Sequence, residues 1–293
     1  MTPVVTAAIP TYNRARYLPG ALESVFAQTF TDLEVVVVDD GSIDGTERVL
    51  APYADRIRYV RQENAGRSAA RNRCIAEARG RYLSFLDSDD RWLPEKLALH
   101  VALLEERPGV GMVHGHVDVV DEHDRPRDDL TEFHHRLWSR AHIRPVTYAG
   151  YALECRCFSS ATTFRREVFD RVGGYDEALA LDDYELYLRV ALDSEIVFLE
   201  RSVALYRYHG ENMSPHDLTL GQIQGAEKHL LLLGERDDVA DGDRARRNLH
   251  AMLARSYNVL GDQRRARRHA LRAVRPDALG IEMLRRAAVS FVR

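Results

Sequence analysis

The segment Tyr82-Leu-Ser-Phe-Leu-Asp87-Ser-Asp89-Asp90 constrains this chain most, because it is an apolar run of strand length that stops on three carboxylates. Leu83, Phe85 and Leu86 belong to an interior, and the switch to acids marks where the strand ends. A second run, Val35-Val-Val-Val-Asp39-Asp40-Gly41-Ser42, ends in the same way. Helix-like stretches at 17–28, 45–53, 66–78 and 94–106 alternate with strand-like stretches at 4–9, 33–39, 57–60 and 82–86. Such alternation implies crossover units and a mainly parallel central sheet flanked by helices. Ligands of these sheets bind beyond the carboxyl ends of the strands, where residues 10–14, 39–42 and 87–90 lie.

The second half reads differently. Residues 117–145 loosen into Asp, His, Arg and Pro, the pattern of a long functional loop. A strand at 159–164, a turn at Gly173-Gly174, a helix at 184–192 and short closing strands at 197–199 and 203–208 follow. Beyond Asp217 only helical periodicity remains, at 218–233, 244–260, 263–273 and 279–289. The expected division is therefore an α/β domain over 1–215 and a C-terminal all-helical appendage over 216–293. The pattern around Ala254, Tyr257, Gly261 and Ala266 is like part of a tetratricopeptide helix pair, but one pair makes no solenoid.

Composition narrows the class. A 45% hydrophobic and 29% charged content is that of an ordinary soluble globular chain, with no apolar run near the roughly 18 residues of a membrane span. No secretory signal pattern is read at the N-terminus. Cys74, Cys155 and Cys157 are too few and too oddly spaced for a disulfide framework or a zinc site, which leads us to expect a reducing cytoplasm and structural thiols. Residues 240–293 carry 13 Arg, no Lys and 5 acids, a net of +8, whereas the remainder carries 28 basic and 40 acidic side chains, a net of −12. We read the basic end first as solvated arginine-rich helices. The alternative is peripheral contact with an anionic membrane surface, at its inner face.

Several clusters carry chemistry. Asp87, Asp89 and Asp90 repel one another unless a cation sits among them, so they read either as an acidic turn ahead of a helix or as an oxygen-ligand site for a divalent ion. A carboxylate after the second strand can accept the imide N–H of a uracil or thymine ring. Arg67 and Arg71 share one face near a helix N-terminus suited to anions. Asp182 and Asp183 open a helix, where they serve as caps or, kept ionised by the dipole, as a general base. His209 is a loop histidine that reads as solvated, with metal or phosphate contact as the alternative.

Taken in order, Ile9-Pro10-Thr-Tyr12-Asn13-Arg14, Val38-Asp39-Asp40-Gly41-Ser42, Asn64-x-Gly66-x-x-x-x-Arg71-Asn72, Phe85-Leu-Asp87-Ser88-Asp89-Asp90 and Gly174-Tyr-Asp176-Glu177 followed by Asp182-Asp183 resemble the inverting family 2 nucleotide-sugar glycosyltransferases of the glycosyltransferase-A fold. The resemblance covers about residues 3–215 and leaves the later helices outside it. It implies that Pro10, Tyr12 and Asp40 contact the base with Arg71 nearby, and that Asn13, Arg14, Gly66 and Ser88 belong to the nucleotide site. It makes Asp87 and Asp89 the acids for Mg²⁺ or Mn²⁺, Asp89 more directly, with His209 a weaker ligand and Asp90 a supporting group. Asp183 matches the catalytic base. Asp182 stands where the family often has Glu, so the charge is kept with a shorter reach.

The implied reaction is one in-line displacement from a UDP or dTDP sugar to a hydroxyl of a glycan, lipid-linked or peptide acceptor, with no nucleic acid involved. A sugar-phosphate nucleotidyltransferase is the alternative enzyme, but it requires a Gly-rich loop where Pro10–Arg14 stands. A non-catalytic nucleotide-sugar binder requires missing acids, and every expected acid is present. A dinucleotide oxidoreductase requires a G-x-G-x-x-G after a strand, and none occurs.

Overall fold

Strand β1 (Val5–Thr11) is buried along its whole length, as the core strand of a two-sided layer must be. β2 (Leu33–Asp39) pairs with it in parallel from Val5↔Leu33 to Thr11↔Asp39, and β3 (Arg58–Arg61) extends the same side. On the other side lies β4 (Tyr82–Phe85), whose pairing with β1 ends at Ala8↔Phe85. Pro10 therefore sits where β1 is paired on one side only, a position that tolerates a missing N–H. The computed structural model describes residues 2–141, 146–153, 157–179 and 182–274.

The remaining strands are β5 (Arg91–Trp92), β6 (Val110–Asp121), β7 (Thr162–Arg165) and β8 (Glu195–Tyr208). The eight form one sheet in the order β3-β2-β1-β4-β7-β6-β8-β5. β7 runs antiparallel to both β4 and β6, and β5 antiparallel to β8, so the sheet is mixed, with four of its seven pairings parallel. Helices α1 (Leu18–Phe26), α2 (Thr46–Leu50), α3 (Arg67–Glu77) and α4 (Lys96–Glu106) make the crossovers of the first half, close to the expected spans.

Three readings are corrected. Residues 117–145 are not a loop: they continue β6 to Asp121 and then form α5 (Asp128–Ala141), with 142–145 outside the described residues. The two short closing strands are one long strand, β8, in which the pairing jumps from Gly115↔Leu199 to His116↔Ser202 across a bulge. Asp90 caps no helix either, since β5 follows it and the N-cap of α4 is Glu95.

The chain forms two compact units that alternate along the sequence. The first holds the sheet: the described residues of Met1–Val146, Arg156–Glu177 and Asp193–Asn212, the last two stretches carrying β7, α7 (Val168–Val172) and β8. The second is helical and takes the described residues of Thr147–Cys155, Ala178–Leu192 and Met213–Arg293. It contains α6 (Tyr148–Leu153), α8 (Asp182–Asp193) up to Leu192, α9 (Pro215–Gly234), α10 (Gly242–Val259) and α11 (Gln263–Ala273). The helical unit thus includes two stretches from before residue 215. Cys155 and the helix expected at 279–289 lie outside the described residues.

Candidate functional site

The loops after β1 and β2 are stitched together by side chains that the motif residues supply. Asn13 is left-handed (φ 52°), a conformation Asn tolerates better than most residues. Its N–H donates to Ser42 Oγ (2.9 Å), and its Oδ1 accepts from Ile43 N (2.9 Å). Asp44 Oδ2 accepts from Ala15 N (2.8 Å). Tyr12, next to this seam, is 46% exposed, an open aromatic surface at the end of a buried strand.

Asp40 is buried and organises the loop between β3 and α3. Its Oδ1 accepts from Gln62 Nε2 (2.8 Å) and Ala65 N (3.0 Å), and its Oδ2 from Gly66 N (2.8 Å). Gly66 (φ 95°) and Gly41 (φ 82°) both lie in the region that disfavours side chains, and a Cβ on Gly41 would stand 2.9 Å from Asn64 N. Asn64 Nδ2 closes the loop on the Asp40 carbonyl (3.0 Å). A carboxylate has about four acceptor positions, so three protein donors leave room for one more. The neighbouring Asp39 is a structural acid: it accepts from Ser42 N (2.8 Å) and Tyr59 OH (2.7 Å).

The acidic turn after β4 is surrounded by cations and donors. Arg71, 1% exposed, donates to Asp87 Oδ1 (2.9 Å), while Arg67 on the same helix is exposed. Asp89 Oδ2 accepts from Arg14 Nε (3.2 Å) and lies 3.1 Å from His209 Nε2, near enough for a hydrogen bond or for two groups sharing one cation. Arg14 is held in turn by Glu211 Oε2 (2.7 Å). Burial alone would raise the Asp89 pKa, but the His209 hydrogen bond and the Arg14 charge outweigh it and the net shift is downward. Asp90 goes the other way: burial, then the charges of Asp89 and Asp87, push it well above the usual carboxylate range. Ser88 is buried within the turn.

Sequence reasoning missed Arg207 and gave no role to Asn72, although Asn72 closes one of the motifs. Arg207, 3% exposed, donates through its backbone N to Asp90 Oδ1 (2.9 Å), through Nε to the Asp89 carbonyl (2.8 Å) and through its guanidinium to Asp124 Oδ1 (2.7 Å). Its only sequence signal is an arginine at the end of the apolar run Val203–Tyr206. Asn72 reads the Tyr175 backbone in both directions, accepting from its N (2.7 Å) and donating to its O (3.0 Å), and also donates to Glu177 Oε1 (2.8 Å). A Cβ on Gly174 would fall 2.3 Å from Asn72 Oδ1, so any larger residue there would displace the Asn72 side chain.

The helical unit carries the remaining expected acids. Asp183 lies in the first turn of α8, half-buried; the Asp182 side chain lies outside the described residues. Two residues after Asp183, Glu185 has no exposed side-chain surface and meets Arg189 (2.7 Å), Lys228 (2.7 Å) and His229 (3.7 Å). α9 approaches α8 closely at Gly225, where a Cβ would stand 2.8 Å from the Tyr184 ring.

The sheet unit therefore brings Pro10, Tyr12, Asn13, Arg14, Asp40, Gly66, Arg71, Asp87, Ser88, Asp89, Asp90 and His209 to the loops beyond the carboxyl ends of its strands. Among the described residues no three His, Cys, Asp or Glu side chains converge as a ready-made cation cage. That still fits Mg²⁺ or Mn²⁺ in a phosphate site. Such an ion is commonly bound by one or two carboxylates, the other positions going to water and the substrate's phosphates. Asp87 and Asp89 could supply that oxygen donor set.

The model of "Glycosyl transferase family 2" matches residues 6–173. An uncharacterized glycosyltransferase of Nostoc sp. (strain PCC 7120 / SAG 25.82 / UTEX 2576) is 35% identical over 217 residues, covering 71% of this chain. The chain spans 66% of that relative's own length and 31–35% of two further curated relatives. Among solved structures, Staphylococcus aureus TarS 1-349 in complex with UDP shares the fold at TM-score 0.65 and 22% identity, covering 87% of this chain and 72% of that one. The mannosyltransferase PcManGT of Pyrobaculum calidifontis, in complex with GDP-Man and Mn²⁺, aligns over 100% of this chain and 81% of its own at TM-score 0.63 and 20% identity. These likenesses establish the glycosyltransferase-A fold, and with the family match over more than half its length, this chain belongs to glycosyl transferase family 2.

Proposed function

We propose that this chain transfers a sugar from a nucleoside diphosphate to a hydroxyl acceptor with inversion at the anomeric carbon. The observation that carries the reading is the set of three loops, 10–15, 39–46 and 62–66, tied to one another by Asn13, Asp40 and Asp44. They make a preformed cradle with an open aromatic face at Tyr12 and one unused acceptor position on Asp40. Tyr12 stacks on the base, and Asp40 takes the imide N–H of uracil or thymine, which favours a UDP or dTDP donor. TarS with UDP supports that choice, whereas PcManGT with GDP-Man is a relative in fold that takes guanine.

Arg14 and Arg71 lie beside the acidic turn, where a guanidinium can also meet diphosphate oxygens. Asp89 and Asp87 would hold a divalent cation, which when bound neutralises charge on the departing diphosphate. Asp183 is assigned the general base by its motif position: it takes the acceptor hydroxyl proton, and the helix N-terminus favours its ionised form. Asp182 and Asp90 support these acids. Among the described residues no helix is long and apolar enough to cross a membrane. We place the chain in the cytoplasm, with the exposed arginines of α11 (Arg264, Arg265, Arg267, Arg268 and Arg272) as the surface for an anionic inner leaflet.

The test is a donor panel of UDP-, dTDP- and GDP-sugars with Mn²⁺ or Mg²⁺, against EDTA controls, with the anomeric configuration of the product read by NMR. Inverted product from a UDP or dTDP sugar, abolished by EDTA, is the expected result. Full activity in EDTA, a retained configuration or preference for GDP donors would each remove the corresponding part of the proposal.

A further inference from the structure

The acidic turn is clamped by a residue that belongs to none of the motifs. Ser160 sits in a single 3-10 turn, Ser159–Ala161, immediately before β7, and has no exposed surface. Its Oγ accepts from Asp87 N (3.0 Å) and donates to Asp90 Oδ2 (2.6 Å), so one hydroxyl joins the first and last residues of the turn. A serine hydroxyl has a single proton, and here it is committed to Asp90 while a lone pair is committed to the Asp87 N–H. Ser160 is itself anchored by Trp92 Nε1, which donates to its carbonyl (2.9 Å). From the opposite side, Arg207 N holds the second oxygen of Asp90 (2.9 Å) and Arg207 Nε holds the Asp89 carbonyl (2.8 Å). Asp90 is thus the internal post of the turn, fixed through both oxygens, and Asp87 and Asp89 are presented from a backbone that cannot rotate freely.

We propose that Ser160 is a positioning residue for the donor site, setting the spacing at which Asp87 and Asp89 meet a cation and the diphosphate it accompanies. This role rests on the donor site proposed above. Partners that orient carboxylate ligands typically change metal affinity by about 10–100-fold when removed. A merely structural serine would change thermal stability alone.

The experiment is a Mn²⁺ titration of the full chain, with and without UDP, followed by the electron paramagnetic resonance of free Mn²⁺ well below the melting temperature. Ser160→Ala is expected to weaken Mn²⁺–UDP binding by about tenfold or more. Thr162→Val, which removes the neighbouring buried hydroxyl that donates to the Ser159 carbonyl (2.7 Å), should lower the melting temperature without that loss. If Ser160→Ala does not fold, Trp92→Phe removes the anchor of Ser160, together with some packing against Lys96, and is expected to weaken binding by about threefold, less than the roughly 10–100-fold for loss of an orienting partner itself. A folded Ser160→Ala, or in its place Trp92→Phe, that binds Mn²⁺–UDP like the wild type would overturn the role of Ser160 alone. A wild-type chain that binds neither Mn²⁺ nor UDP would overturn the donor site, and this role with it.

Discussion

Two fully enclosed carboxylates show how differently the two units of this chain handle buried charge. In the sheet unit, Asp90 is held by a serine hydroxyl and a backbone N–H, with two further acids in the same turn. Burial and those neighbouring charges push its pKa well up. In the helical unit, burial would raise Glu185 as well, but the adjacent His229 and the ion pairs with Arg189 and Lys228 outweigh it and hold the group far below the usual range. The helical unit neutralises its acid internally, and the group contributes to stability. The acidic turn pairs Asp87 with Arg71 and Asp89 with Arg14, yet keeps Asp90 buried beside two like charges, the kind of perturbed carboxylate that clusters at functional sites.

The comparison can be broken most directly at Asp89. Asp89→Ala should reduce transfer by about 10²–10³-fold, the scale for removing one electrostatic contact at a developing charge. The melting temperature should fall only modestly, because relief of the repulsion on Asp90 offsets the lost contacts to Arg14 and His209. A variant that loses activity by unfolding would put Asp89 in the same class as Glu185. The converse change, Glu185→Gln, should cost stability of about 3 kcal/mol, the lower end for breaking a buried ion pair, because Lys228 is partly exposed. Chemical denaturation reads this, and an unchanged midpoint would deny the internal neutralisation.

Asp183→Asn sharpens the contrast within the helical unit. It keeps shape and capping ability but cannot take a proton, so turnover should fall by about 10²-fold with the melting temperature and UDP affinity little changed. Near-normal turnover, with Asp182→Asn inactive, would move the base to the neighbour. Asp40→Ala should weaken UDP binding by about 1.5–3 kcal/mol in calorimetry, the range for a hydrogen bond to a charged group. Gln62→Ala removes one loop bond to the same carboxylate and should do less. Equal losses would mean that Asp40 acts through the loop and not through the base.

The smallest effect is a pH dependence. His250 and His269 face each other in the helical unit with Nδ1 atoms 3.0 Å apart, and burial, then the His269 charge, lower His250 to about 4 from an ordinary 6.5. Between these values the unfolded chain binds the proton and the folded chain does not, so stability falls as pH drops from 6.5 towards 4. Glu185 adds in the same direction only below about 4.5, where its unfolded form takes up a proton. Melting temperature against pH should decline over the upper window, where buried His100 and His114 and half-buried His116 act in the same direction, and His250→Gln should make the decline shallower.

The sheet edge was legible for a physical reason. Val35–Val38 and Tyr82–Leu86 have every residue committed to the interior, so an acid after them can only mark the strand's end, and the observed bounds agree within a residue or two. β6 was illegible for the converse reason. Its His116 and Asp118 look like loop residues until α5 supplies partners: the rings of His116 and His135 lie 4.3 Å apart, and His135 Nε2 is 3.2 Å from Asp118. β8 was divided because Glu200 and Arg201 bulge out of register, and a bulge has the same local signature as a turn.

The sequence by itself determined which residues could carry the chemistry, because acids, arginines and glycines at strand ends are chosen by local constraints: where a run stops, where φ must be positive, where a helix begins. Which groups hold those residues in place was decided only by the tertiary structure. Ser160 and Asp87 are 73 positions apart, Asn72 and Tyr175 103, and Asp90 and Arg207 117. Contacts at such separations depend on β7 entering the sheet antiparallel beside β4, and on β8 following β6 in parallel. Pairing of that kind arises from the register of the whole sheet, and no local periodicity encodes it.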